Sequence, residues 1–429
     1  MLDLLTILSD QKEELQNTDV SLLITRREES LFNLKSKRAQ VVIGVRRCGK
    51  STICKKVLIE SNINFAYVNF DDERLMHFKI DDMNSVMETL YRIYGDFDCL
   101  LLDEIQNVEG WHLFVNRIMR GGMKVVLTGS NANLLSGELA THLTGRYNQI
   151  SLYPFSFVDF CVAKGVDVSS ASTKSKALRQ RALDEYLSCG GFPEIIDGEE
   201  KKEYVMSLLS AIIQKDICRR YKINRTQTLW EIANNLIDKN CQEISYNVIQ
   251  RQFDIGSVHT VKNYVSYLNE AFLLRTVSKF STKSSDRLLS KKSYVTDMAF
   301  ISDREDVVMS QNLGWRLENA VYLELLRRIN SEYQQIYYLR KTNLFEVDFV
   351  IYEGSRILEL IQVTYLMDKS NKKLYKREID GLIKGAQLTK CERLTLVCLE
   401  GENEILDVGE HKIKVVKASE WLCNYRGHL

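Results

Sequence analysis

Between Gln40 and Leu152 the chain alternates short apolar runs with stretches of helical periodicity. Val41–Ile43, Phe65–Val68, Cys99–Leu102 and Val125–Leu127 predict buried strands, each followed by a helical segment, the rhythm of a parallel α/β sheet. From 174 to 222 the pattern lengthens into helices, punctuated by Gly190-Gly191-Phe192-Pro193. Further on, Glu243–Phe253 predicts a short helix, Asp254–Ser257 a turn, and Val258–Phe272 a second helix with Val261, Tyr264, Val265 and Leu268 on one stripe. Ser257 is placed to cap that second helix. After residue 290 the order is a helix (Gly314–Ile329), three strands (Ile336–Leu339, Glu346–Tyr352, Ile357–Thr364), a helix (Tyr375–Leu388) and a strand (Arg393–Leu399).

At 429 residues the chain has room for several domains. Its 58 Lys plus Arg balance 57 Asp plus Glu, so any basic surface has to be local. No apolar stretch is long enough to span a bilayer, and Met1–Asp10 has acids among its leucines and no basic region, so neither a membrane span nor a secretory signal is expected. The ten cysteines include no C-x-x-C pair and the histidines no H-x-x-x-H. This pattern reads as reduced cytoplasmic thiols and disfavours a transition-metal enzyme.

Gly44-Val45-Arg46-Arg47-Cys48-Gly49-Lys50-Ser51 fits G-x-x-x-x-G-K-[ST], directly after a strand and opening a helix that continues through Thr52. Glycines there let backbone N–H groups turn inward around phosphate oxygens, and the helix N-terminus adds a favourable dipole. Lys50 is expected to reach the β- and γ-phosphates of ATP, and the Ser51 hydroxyl to ligate Mg²⁺. Cys99–Glu104 is an apolar strand ending in two carboxylates. Asp103 is expected on the magnesium side, and Glu104 as the base that orients and deprotonates water. Val125–Leu127 runs into Thr128-Gly129-Ser130-Asn131, where Ser130, or else Asn131, would sense the γ-phosphate.

With these three elements in order the chain resembles the AAA-type P-loop ATPases. More closely, it is similar to a bacterial and archaeal group of ATP-binding proteins with a C-terminal domain of unknown function. The shared segments include GVRRCGKS, YVNFDDERL, LLLDEIQ, LTGSNANLLS, LTGRY, PFSF, GGFPE and QKDI, and in the C-terminal half GWRLENAVYLELLRR, FEVDFV and EWL. The resemblance implies two further roles. Arg146 would be an arginine finger toward a neighbouring subunit of a homo-oligomer, or else a surface arginine. Pro193, in a G-x-P motif like that of signal-transducing ATPases, would lie against adenine, unless GGFP is only a helix cap.

The order αβββαβ after residue 314 resembles the restriction-endonuclease-like core, whose metal-dependent members carry an acid on the first helix, an Asp on a strand and E-x-K on the next. The matching positions here are Glu318, Asp348 and Gln362-Val363-Thr364. Gln362 removes a hard anionic oxygen and Thr364 removes the ammonium, so a scaffold that binds without cutting is favoured over a nuclease. Glu359 could intrude on such a site, and Lys372, Lys373 or Lys376 could supply a migrated cation.

The helix pair 243–272 reads as part of a winged helix, with His259, Lys262 and Asn263 turned outward. The following Leu273–Ser293 carries Arg275, Lys279, Lys283, Arg287, Lys291 and Lys292 against Asp286. That is a fitting surface for the phosphates of duplex DNA, although winged helices also dock protein partners. The expected architecture is α/β: an AAA-type P-loop core with a parallel sheet (1–153), a helical lid (154–223), a winged-helix domain (224–290) and a nuclease-like α/β domain (291–429). The expected function is Mg²⁺-dependent ATP binding and slow hydrolysis coupled to DNA binding, or to a protein partner.

Overall fold

A computed structural model describes residues 4–130, 145–196, 198, 201–281, 290–302, 309–329, 333–367 and 372–424. The chain divides into two compact units, Met1–Pro154 with the short stretch Glu270–Phe272, and Phe155–Asn269 with Leu273–Leu429.

In the first unit five strands form one sheet: β1 (Ala39–Gly44), β2 (Phe65–Asn69), β3 (Cys99–Asp103), β4 (Lys124–Gly129) and β5 (Tyr147–Leu152). Their order is β2-β3-β4-β1-β5, with every pairing parallel. The helices are α1 (Leu4–Gln16), α2 (Lys50–Glu60), α3 (Met83–Tyr94) and α4 (Trp111–Arg120). They pack on the sheet, α2 against β1 and β4, α4 against β4, and α1 and α3 against β2. Coverage by helices explains why Val41–Ile43 of β1 and Cys99–Leu102 of β3 are continuous apolar runs instead of alternating ones: every residue of both strands is buried.

The four expected strands are all present, β2 and β3 extended at one end and β1 and β4 at both. β5 was not anticipated, because Tyr147-Asn-Gln-Ile-Ser-Leu152 is half polar and only partly buried at the sheet edge. β5 fixes the first glycine of the phosphate loop. Gly44 pairs with Leu152, and a Cβ on Gly44 would meet the Leu152 carbonyl oxygen at 2.0 Å.

The second unit begins with α5 (Phe157–Ala163), α6 (Thr173–Cys189) and α7 (Lys201–Ala211), the last widening into a π-helical stretch, Ile212–Cys218, that contains QKDI. Then come α8 (Thr226–Asp238), α9 (Tyr246–Gln252) and α10 (Val258–Glu270). Thr260 N–H donates to Ser257 Oγ at 3.1 Å, the expected cap, a contact type worth ~1 kcal/mol. An eight-stranded mixed sheet follows: β6 (Leu274–Lys279), β7 (Lys291–Val295), β8 (Gln334–Lys341), β9 (Phe345–Glu353), β10 (Arg356–Leu366), β11 (Leu394–Glu400), β12 (Glu404–Val408) and β13 (His411–Lys417), with α11 (Met309–Arg328) and α12 (Lys372–Thr389) between strands.

The strand order is β12-β13-β11-β10-β9-β8-β6-β7. The antiparallel pair β6/β7 spans residue 290, and β6 also runs parallel to β8 through Ser278↔Tyr337 and Lys279↔Tyr338. Hairpin and C-terminal sheet are therefore one hydrogen-bonded surface, although the sequence pattern suggested a boundary between them. The strands β12 and β13 were also not anticipated, their charged outer positions masking the alternation. Beneath the sheet, Val347, Val350, Leu360 and Leu396 pack with Ile379 and Leu382 of α12.

The GGFP punctuation has a packing reason. Gly190, at φ 83°, ends α6, and a Cβ there would meet Asp297 Oδ1 at 1.9 Å. Asp297 accepts hydrogen bonds from Gly191 N–H and Ala299 N–H, both at 2.9 Å. Burial pushes its carboxyl up to about 7, against those two N–H donors and the nearby Arg327 charge. The folded protein thus keeps a proton that the unfolded chain loses near pH 4, so this carboxyl withdraws stability as pH rises from about 4 to about 7. Thermal unfolding midpoints compared between pH 5 and pH 8 should fall further for the natural protein than for Asp297→Asn; equal slopes would refute the assignment.

Candidate phosphate site

The strand order sets β4 between β1 and β3, so the loop after β1 and the acids ending β3 meet across the end of β4. This is where open α/β sheets bind ligands, at the carboxyl ends of their strands. Gly49, at φ 94°, adopts the left-handed backbone that glycine tolerates and opens α2. Val45 and Cys48 are buried, Arg46 is half-buried and paired with Asp71 at 3.1 Å, and Arg47 and Thr52 are exposed. Arg26, which the sequence reading passed over, braces the loop from behind. Its buried guanidinium donates to the Cys48 carbonyl at 3.0 Å and the Tyr153 carbonyl at 2.8 Å.

Ser51 Oγ donates to Asp103 Oδ1 at 2.8 Å. Asp103 also receives Thr128 Oγ1 on the same oxygen and Tyr67 OH on the other, at 3.2 Å. Neither Thr128 nor Tyr67 was singled out in the sequence; each stands at or near a strand end facing the acid, a position visible only once the strand order is known. Burial raises the Asp103 pKa, and the neighbouring Glu104 charge adds to it.

Glu104 adopts a left-handed backbone, φ 50°, unusual for a residue with a side chain. Its Oε1 lies 3.3 Å from Lys50 Nζ, which also donates to the Val45 carbonyl at 3.2 Å. Its Oε2 accepts from Ser130 N–H at 3.2 Å and from the Gln106 amide. Gln106, also unforeseen, reaches Ser130 Oγ at 3.4 Å as well. Burial works against the Glu104 carboxylate, but Lys50 outweighs it and its pKa is lowered; burial likewise works against the Lys50 ammonium, and Glu104 outweighs it and raises that pKa. The Glu104 carboxylate and the Lys50 ammonium thus hold one another.

Lys50, Ser51, Asp103, Glu104 and Ser130 are brought together as the motifs implied. A serine hydroxyl beside a carboxylate is a hard-oxygen pair suited to Mg²⁺, and the inward-turned loop with its buried ammonium suits a polyphosphate. Arg146 is exposed at the start of β5, its carbonyl accepting from Ala39 N–H at 2.9 Å. Pro193 opens a short 3₁₀ turn, Pro193–Ile195, in the second unit. Asn131 lies outside the described residues.

With this geometry, the comparisons decide the family. Residues 36–161 match the family described as an AAA domain, residues 180–304 a domain of unknown function (DUF8612) and residues 313–420 another (DUF4143). An uncharacterised protein of Methanocaldococcus jannaschii is 33% identical over 402 residues, covering 90% of this chain and 89% of the relative. The chain belongs to the AAA-domain proteins that carry a C-terminal domain of unknown function. An uncharacterised Haemophilus influenzae relative is 32% identical over 345 residues, 76% of this chain and 82% of the relative. Two solved structures are more distant. A Walker-type ATPase of Pyrococcus abyssi has TM-score 0.43 and 12% identity, covering 65% of this chain and 95% of that one. Cdc6p of Pyrobaculum aerophilum has TM-score 0.29 and 12% identity, covering 68% and 96%. Within the AAA-domain family, the parallel sheet and phosphate loop of this chain form a P-loop ATPase fold.

The second unit places the remaining acids differently from expectation. Glu318 on α11 and Asp348 on β9 converge, but on a buried lysine: Lys292 Nζ is 3.2 Å from Glu318 Oε1 and 3.7 Å from Asp348 Oδ1. Lys292, read from sequence as part of a basic outer wing, is therefore interior. Gln362 bonds Glu378 at 2.8 Å and accepts from Asp348 N–H at 3.3 Å. Glu359 is held elsewhere, by Thr395 and by Arg393 at 3.4 Å. The side chains of Lys372, Lys373 and Lys376, and residues Lys283, Asp286 and Arg287, lie outside the described residues. His259 and Lys262 of α10 are exposed and Asn263 is half-buried. Among the described residues no helix is long and apolar enough to cross a membrane.

Proposed function

We propose that this protein is a slow, Mg²⁺-dependent ATP hydrolase of the cytoplasm, forming ADP and phosphate, whose nucleotide state governs binding of duplex DNA by its C-terminal half. The observation that carries the reading is the meeting of Lys50, Ser51, Asp103 and Glu104 at the strand ends of one parallel sheet. Lys50 leaves Glu104 to neutralise the β/γ-phosphates, and backbone N–H groups from Gly44 to Thr52 cradle them. Ser51 and Asp103 are the residues that would hold Mg²⁺, which when bound offsets phosphate charge. Glu104, released on one side and still held by Ser130 N–H and Gln106 on the other, takes the proton of the attacking water. Ser130 reads the γ-phosphate, Pro193 adenine, and Arg146 a neighbouring subunit's γ-phosphate in a homo-oligomer.

Support for DNA comes from α10, a capped helix exposing His259 and Lys262, beside a hairpin carrying Arg275, Lys279 and Lys291. ATP turnover should rise several-fold with duplex DNA. Lys262→Ala and Lys279→Ala should each lower the slope of log affinity against log salt by about 1, the release of one phosphate contact. Turnover indifferent to DNA would favour the second reading, a nucleotide-governed switch facing a protein partner. The burial of Lys292, which thins the basic surface, is the observation on that side.

A further inference from the structure

Three carboxylates from two elements, Glu318 of α11 with Glu346 and Asp348 of β9, point toward one place in the second unit. Such a cluster of hard anionic oxygens is what a divalent cation selects. The space between them is filled by Lys292, whose side chain is 4% exposed and whose Nζ lies 2.6 Å from Glu346 Oε1, 3.2 Å from Glu318 Oε1 and 3.7 Å from Asp348 Oδ1. The contacts to Glu346 and Glu318 are charge-assisted hydrogen bonds and that to Asp348 is an ion pair, whereas Mg²⁺ requires oxygens at about 2.0–2.1 Å. Among the described residues no set of three or more His, Cys, Asp or Glu is arranged to hold a metal ion.

The surroundings complete the arrangement. Tyr294 OH donates to Glu318 Oε1 at 2.7 Å, and Val363 N–H donates to Asp348 Oδ2 at 2.9 Å. Arg340 Nε lies 3.5 Å from Glu346 Oε2, and Tyr338 presents its ring 5.5 Å from the ammonium. Lys292 cannot withdraw far, because its backbone is paired to Val277 in the hairpin. The ammonium therefore sits within the cluster, tethered to the sheet, with each of the three acids facing it.

We propose that Glu318, Glu346 and Asp348 form a cation centre whose occupant is the chain's own Lys292, so that the C-terminal domain takes up no divalent ion there and cuts no phosphodiester. Removing the ammonium exposes a divalent-cation site. The inference does not depend on the ATPase reading.

The test uses the full chain without nucleotide, carrying Asp103→Asn so that the phosphate site contributes no metal. Free Mn²⁺ is measured by electron paramagnetic resonance during titration. The Asp103→Asn protein should bind no Mn²⁺ in the second unit, adding Lys292→Met should create one site per chain, and adding Asp348→Asn should abolish it. Mn²⁺ binding by the Asp103→Asn protein that Asp348→Asn removes would overturn the proposal. So would a Lys292→Met chain that folds, judged by circular dichroism, and binds no Mn²⁺. If Lys292→Met folds only with Mn²⁺ present, the proposal is upheld. If it folds under neither condition, the lysine-containing protein decides: no Mn²⁺ uptake and no Mg²⁺-dependent cutting of duplex DNA uphold it, and either activity, removed by Asp348→Asn, refutes it.

Discussion

Lys50→Ala should weaken ATP binding by at least about 100-fold, close to 3 kcal/mol, and reduce turnover to background. Two losses combine. The polyphosphate loses the ammonium that would neutralise it, and the buried Glu104 loses the partner now 3.3 Å away. An uncompensated carboxylate then faces the incoming phosphates, where the penalty for a broken buried pair is several kcal/mol. Titration with a fluorescent ATP analogue measures the affinity, and phosphate release measures turnover. ATPase activity unchanged in this variant would remove the basis of the functional assignment, because no other described group of the site supplies an ammonium to the phosphates.

The second large effect separates binding from chemistry. Glu104→Gln should cut turnover by about 10²–10⁴-fold, the range for loss of a general base, while ATP binds at least as tightly as before. The affinity expectation follows from the Lys50–Glu104 ion pair. Lys50 has to part from Glu104 before it can serve the phosphates, and a neutral amide holds it less strongly than a carboxylate. The glutamine oxygen still accepts from Ser130 N–H, now at 3.2 Å, so the local backbone is retained. Single-turnover hydrolysis alongside an equilibrium titration gives both quantities. Loss of binding in parallel with loss of turnover would show that Glu104 shapes the site instead of acting on water.

The first unit was legible where chemistry and burial coincide. G-x-x-x-x-G-K-S after an apolar run, and an apolar run ending in Asp-Glu, have spacings that few other structures need, and both motifs lie at the strand ends expected. The groups that hold the acids in place were not legible. Tyr67, Gln106 and Thr128 are ordinary polar residues in sequence, and their part depends on β4 standing between β1 and β3. Arg26 lies 22 residues before Cys48, and only the folded chain brings its guanidinium to the Cys48 carbonyl.

The second unit misled in a different way. A run of lysines and arginines reads as a solvated face because nearly all such runs are, yet alternation along β7 sends Lys291 and Lys292 to opposite sides. Glu318 of α11, matched in sequence to the first acid of a nuclease-like core, is held in the structure by Lys292 and Tyr294. The partner could not be named beforehand because Lys292 belonged to a run read as a basic outer surface, and only the strand pairing turns it inward.

The β6/β7 hairpin carries a consequence for how these proteins diversify. Because β6 pairs with both β7 and β8, and β7 carries the lysine that neutralises the acids, the hairpin and the interior charge balance are parts of one hydrogen-bonded sheet. A recombination at residue 290 would leave Lys292 with its three carboxylates but part β6 from β7 and β8, the two strands it pairs with. Exchange of specificity between relatives is therefore confined to breakpoints that carry β6 through β9 together, or to point changes on the outward positions of α10.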